Sequence, residues 1–300
     1  INKIKNGEFY YDSNKLQNVF IAKNEVFNVP YKLTIRNDKF NKNLSTIFNS
    51  KKIRLNVESL TSYESKIKNG LLDILLISND TSLEYELKEN SLTFNSTDSK
   101  NKFKGQVDYK PFYLSAVLNY DGISLKNFFN EKSIFVDLID SEILNNKNLS
   151  ANINFKIKDI TNINELNKLN LNFNIEEGDI SFSNSSIMWK EDLKILLQDT
   201  LLILDDDGIK LVGTIDLDFL NIKNFYSSFQ IPKKNRKKVN KIKIDFVYNI
   251  NNKDIRFNNP KIDNSQNASL ETFLDNFNSK ENRVFNKITF KNFVNEFFGI

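Results

Sequence analysis

The chain has 300 residues, 40% hydrophobic and 27% charged. That is the balance of an ordered protein with enough length for a sizeable core. Its 42 basic and 38 acidic residues leave a net charge of only +4, too little to predict a nucleic-acid partner. There is no His and no Cys, which excludes disulfides, the usual zinc sites, Cys nucleophiles and Ser-His or Cys-His triads. Neither catalysis nor a cofactor is expected.

The dominant signal along the chain is period-two alternation, which places successive side chains on opposite faces of a strand. Its first rows are Tyr31, Leu33 and Ile35, then Ile53, Leu55 and Val57, then Leu83, Tyr85 and Leu87. Asn119-Tyr120-Asp121-Gly122 reads as a tight turn. Helices are predicted near 124–144, one from Ser124 with Leu125, Phe128 and Phe129, a second from Ser133 with Ile134, Phe135, Leu138 and Ile139. Alternation returns with Ile153, Phe155 and Ile157, and again with Leu169, Leu171, Phe173 and Ile175, interleaved with Asn and Lys. Glu176-Glu177-Gly178-Asp179 and Asp205-Asp206-Asp207-Gly208 are turn signals. Ile209, Leu211, Gly213, Ile215, Leu217 and Phe219 form the next row. Asn221 caps a predicted helix over 221–229 carrying Ile222, Phe225, Tyr226 and Phe229. Ile242, Ile244, Phe246, Tyr248 and Ile250 make a last row. Helices then follow from Ser269, with Leu270, Phe273, Leu274 and Phe277, and after Thr289, with Phe290, Phe293, Val294, Phe297 and Phe298.

These elements predict a mainly β protein: a long antiparallel sheet with one wet face and short amphipathic helices. Three segments are expected, a β-rich stretch over 1–100, strands with helices over 101–230, and further strands with terminal helices over 231–300. Strands leading into a Phe-rich helix recur, as in Lys126-Asn127-Phe128-Phe129, Lys223-Asn224-Phe225-Tyr226 and Lys291-Asn292-Phe293-Val294. Upstream of the first two, Gly105-Gln106-Val107-Asp108-Tyr109 parallels Gly213-Thr214-Ile215-Asp216-Leu217. Such recurrence favours an extended, modular architecture. No apolar stretch approaches the ~20 residues of a membrane span. The chain opens on Ile1 with no leader, so a piece of a longer chain is expected.

Few residues suggest chemistry. Asp205-Asp206-Asp207 lacks the remaining ligands of a calcium loop and reads as a hairpin turn, so no metal site is assigned. Glu176 and Glu177 are adjacent in a turn, not opposed across a cleft as a hydrolase requires. Trp189 reads as a core anchor, with a membrane-facing rim as the alternative. The run Lys233-Lys234-Asn235-Arg236-Lys237-Lys238 is the main charge feature: a solvated loop, or a contact for anionic headgroups through Lys233, Lys234, Arg236, Lys237 and Lys238.

Phe103-Lys104-Gly105-Gln106-Val107-Asp108-Tyr109-Lys110-Pro111-Phe112, followed by Gly122-Ile123-Ser124-Leu125-Lys126-Asn127-Phe128-Phe129, resembles AsmA-like proteins of Gram-negative bacteria. So does the stretch from Ile175 through Trp189 and Asp205 to Phe229. The resemblance covers roughly 80–300. It implies an inner-membrane anchor outside this chain and a periplasmic body. That body is a curled sheet, U-shaped in section, whose apolar interior carries phospholipid in support of outer-membrane assembly. On that reading the groove is lined by Ile153, Phe155, Ile157, Leu169, Leu171, Phe173, Ile175, Leu211, Ile215, Leu217, Ile242, Ile244 and Phe246, with phospholipid or another acyl lipid as partner. Periodicity by itself favours a closed β-sandwich of structural or adhesive role, and a polysaccharide-processing β-solenoid enzyme is a third, more distant reading.

Overall fold

The computed structural model describes residues 2–26, 29–63, 68–76, 79–98, 101–124, 147–161, 163–205, 208–252, 254–279 and 287–300. They are mainly strand, in one sheet of 19 strands whose described pairings are antiparallel. The mainly β expectation holds. Two compact units divide the chain: Ile1–Phe155 with Asn174–Gly178, and Lys156–Phe173 with Asp179–Ile300. No division falls near 100 or 230, because a strand pair bridges the first point and one shared core the second.

The first unit holds β1 (Asn2–Asp12), β2 (Gln17–Val26), β3 (Val29–Asp38), β4 (Asn43–Ser50), β5 (Leu55–Ser62), β6 (Lys68–Leu76), β7 (Asn79–Leu87), β8 (Ser91–Ser96), β9 (Lys102–Tyr109) and β10 (Phe112–Ser124). Each pairs with the next, a meander of short connections. Two of these turns share one device. The Asp12 carboxylate accepts from the N–H of Asn14 (3.0 Å) and Lys15 (3.1 Å), and Leu16 closes the turn at φ 52°. The Asp38 carboxylate accepts from the N–H of Phe40 (3.0 Å) and Asn41 (2.9 Å), and Lys42 closes the turn at φ 52°. An Asp side chain thus mimics a backbone turn and replaces the Gly that sequence reading looks for.

Two strand glycines are fixed by a neighbour's ring. A Cβ on Gly70 would stand 2.5 Å from the Tyr85 hydroxyl, and one on Gly105 would stand 2.5 Å from Cζ of Phe94. Both rings come from the residue directly opposite on the paired strand, so only Gly leaves them room. Asn119–Gly122 is not a turn. It continues β10, where Asn119 pairs with Lys102 and the Tyr120 ring lies 4.9 Å from Phe103. Cross-strand pairing overrides the local turn signal here. Ile53 lies in the β4–β5 turn, not in a strand, with Arg54 at φ 50° behind it.

β11 (Ser150–Thr161) and β12 (Leu166–Glu176) contribute to both units. The second unit continues with β13 (Asp179–Ser181), β14 (Ser185–Trp189), β15 (Leu193–Asp205), β16 (Gly208–Phe219), β17 (Lys241–Asn249), β18 (Asp254–Ile262) and β19 (Ser265–Gln266). Glu177 (φ 51°) and Gly178 (φ 94°) make the expected tight turn before β13.

The described helices are α1 (Ile222–Ser228), α2 (Ala268–Asn278) and α3 (Lys287–Gly299). Asn221 caps α1 as expected, its side chain accepting from Asn224 N–H at 3.2 Å. The cap of α2 lies two residues before the predicted one: Asn267, not Ser269, accepts from Leu270 N–H at 3.2 Å. Either side chain has the chemistry of a cap, and the helix gains a further turn contact by starting earlier. Thr289 lies inside α3 rather than ahead of it. The helices predicted over 124–144 fall on residues 125–146, outside the described residues, while Ser124 ends β10.

Candidate functional site: the apolar sheet face and the basic loop

In the first unit the registers assemble one continuous apolar face. One row across it runs Ala22, Leu33, Phe48, Val57 and Ile74. A second runs Thr61, Gly70, Tyr85, Phe94, Gly105 and Ala116. A third, shorter row is Leu87, Leu92, Val107 and Leu114. The opposite face is more polar, as in the row Lys23, Lys32, Asn49 and Asn56, though it also carries the exposed Leu60, Leu71 and Leu75. Among the described residues no helix belongs to this unit. Leu33, Phe48, Val57, Leu72 and Ile74 stay half-buried, while Leu83 and Tyr85 are buried. The Tyr85 hydroxyl bonds Ser59 Oγ at 2.6 Å and also meets Thr61 Oγ1, so the face holds its polar atoms in internal pairs. A cleft of about 300 Å³ opens at β8–β10, lined by Phe94, Gly105, Ala116, Lys104, Gln106 and Ser115.

In the second unit the apolar face is roofed. Leu193, Ile242 and Ile244 on the sheet pack with Phe225, Tyr226 and Phe229 of α1, Leu270 and Leu274 of α2, and Val294, Phe297 and Phe298 of α3. Leu217 packs against the same cluster, and so does Trp189, whose ring lies 5.4 Å from Phe229. Trp189 is therefore a core anchor.

The predicted lining residues separate accordingly. Leu211, Ile215, Leu217, Ile242, Ile244 and Phe246 do share one face, Leu217 opposite Ile242 and Ile215 opposite Ile244. Leu217, Ile242 and Ile244 lie beneath the helices, Ile242 fully buried, and line no open trough there. The greasy side of each helix is expected to pack on a sheet, and it does; sequence did not show that it would cover these lining positions. Leu169 and Leu171 are half-buried. Phe173 is buried, with its ring 5.4 Å from Phe182. Ile157 and Ile175 are buried, Ile153 and Phe155 half-buried. The interleaved Asn170 and Asn172 are half-buried rather than fully in water, because Asn172 donates its side-chain amide to Asn184 O at 2.9 Å.

The basic run forms the connection from α1 to β17, with a 3₁₀ turn at Lys233–Asn235. Arg236 is exposed, and its Nε donates to Ile231 O at 3.0 Å. The Tyr226 hydroxyl donates to Lys237 O at 2.6 Å. Lys233, Lys234, Lys237 and Lys238 are exposed.

The polar face of this unit carries one ion-pair cluster. Lys241 Nζ lies 2.7 Å from Asp216 and 3.6 Å from Asp218. The hydrogen bond to Asp216 raises the Lys241 pKa above its ordinary value. Among the described residues no group of three or more acids could hold a metal, and no helix is long and apolar enough to cross a membrane. No family model matches the chain, and no curated protein or solved structure matches it either.

Proposed function

We propose that the chain is part of an AsmA-like lipid carrier. Its apolar sheet face receives the acyl chains of phospholipid, or of another acyl lipid, for passage across the periplasm in support of outer-membrane assembly. An inner-membrane anchor outside this chain would tether it. The supporting observation is the half-buried apolar face of β1–β10, in a unit to which no described helix belongs. A sheet face of this composition must be covered by something, and acyl chains suit it because each buried methylene contributes about 0.8 kcal/mol without any shaped pocket. A chain of about sixteen carbons would gain on the order of 10 kcal/mol on the same scale. No catalytic step, cofactor or nucleic acid enters this reading.

The helix-roofed face of the second unit favours a second reading, a structural β module of the cell surface. Solvent extraction and mass spectrometry of the protein purified from an envelope separate the two. The carrier should retain acyl lipid in near-stoichiometric amount, whereas lipid-free protein would favour the structural module.

A further inference from the structure

We infer that the connection over 232–238, with the lysines gathered around it, is a docking surface for an anionic bilayer. Tyr226 bonds its backbone at Lys237 O and Arg236 ties it back to Ile231 O, so the loop is held in place beneath its four exposed lysines. No ion pair engages those lysines among the described residues. Two further cations approach from other elements. Lys190 Nζ donates to Ser228 Oγ at 3.2 Å, and Lys291 Nζ donates to Gln230 Oε1 at 2.6 Å. The α3 helix is tied to the same place, since Asn295 donates to Phe229 O at 3.0 Å. The acids on these packed elements are partly engaged: Glu191 pairs with Lys168, Asp192 accepts from Asn224, Asp216 and Asp218 pair with Lys241, and Asp263 accepts from the N–H of Asn240 and Lys241, which leaves Glu271, Asp275 and the exposed Glu296 against the lysines.

The chemistry fits a membrane better than a nucleic acid. Lysine is a hydrated point charge without the bidentate fork that reads phosphate or base edges. The loop holds one Arg against four Lys, and the Nε of that exposed Arg236 is engaged by the protein's own backbone. The aromatic rings nearest in sequence, Tyr226 and Phe229, are buried, which leaves none to stack on bases. Docking does not depend on the lipid-carrier reading, because a surface can bind a bilayer whether or not the first unit holds acyl chains.

The test is flotation of the 300-residue chain with phosphatidylcholine vesicles, with and without phosphatidylglycerol, at low and high salt. Binding should require the anionic lipid and fall with salt. Lys233→Gln, Lys234→Gln, Lys237→Gln and Lys238→Gln together should weaken it several-hundred-fold, about fivefold per lysine, and leave the melting temperature unchanged. Removing exposed lysines elsewhere (Lys15, Lys39, Lys51 and Lys102 to Gln) should change it far less. Equal binding to neutral vesicles, equal loss in the two quadruple variants, or tighter retention on single-stranded DNA than on anionic vesicles would each overturn the proposal.

Discussion

The two units are built from the same antiparallel strands, yet they treat the apolar face differently. The second roofs it with three Phe-rich helices, so Ile242, Leu270 and Leu274 are dry core. The first carries an equally apolar face on β1–β10, with no described helix in the unit and many of its side chains half-buried. Alternation in the strands makes the greasy face; what covers it decides whether that face is core or surface.

The largest expected effect comes from placing a charge on each face. Ile242→Asp puts a carboxylate in a fully buried site among helices and should cost several kcal/mol, enough to prevent folding. Val57→Asp or Ile74→Asp, on the half-buried face, should leave a folded protein with a modest loss in urea denaturation. Equal losses in both units would erase the distinction. Phe173→Asp belongs with the first kind of change, since Phe173 is 5% exposed and packs on Phe182.

A smaller change sharpens the same contrast. Leu274→Ala removes a side chain of 1% exposure from beneath the roof and should cost about 2–5 kcal/mol. Leu33→Ala, on the half-buried face, should cost clearly less in the same unfolding assay. Smaller again, Tyr85→Phe removes the hydroxyl shared with Ser59 and Thr61 and should cost about 1 kcal/mol by urea denaturation.

The smallest effects lie in pH, and the units should differ in sign. The Asn41 backbone N–H, followed by its side chain, holds the Asp38 pKa below 3.8. Its contribution is therefore complete above the unfolded value and is lost as pH falls through the folded one. Asp38→Ala should remove this acid-side dependence from the first unit. Lys241 is raised above 10.5 by Asp216, so its contribution is complete below that value and is lost as pH rises through the folded one. Lys241→Met should remove an alkaline-side dependence from the second unit. Urea midpoints across pH, variant against parent, check both.

Much of this was legible in the sequence. The row Ile209 to Phe219 is β16 throughout, and Asn221 caps its helix, because both depend on local spacing and local chemistry. The recurrent Gly105 and Gly213 also have a local reason, since Phe94 and Thr200 press on them. The roof was legible in kind, since the Phe-rich side of each helix points to packing on a sheet, but not in place. Alternation marks Leu217 and Ile244 as one-faced, but nothing in a strand's period tells a helix roof from an acyl chain. The Asp12 and Asp38 turns were missed because Gly was the expected signal. Asn119–Gly122 misled because a ladder partner outweighed four turn-prone residues.

The central claim, that the first unit's face is a lipid surface and the second's is core, is tested most directly by site-specific photocrosslinking in the bacterial envelope. A photoreactive residue would replace Leu33, Val57 or Leu72 in the first unit, and Leu217 or Leu274 in the second, with mass spectrometry reading the adducts. The account predicts acyl-lipid adducts at the first three positions and only protein–protein adducts at the last two. Lipid adducts at Leu217 and Leu274 with none at Leu33, Val57 and Leu72 would contradict it.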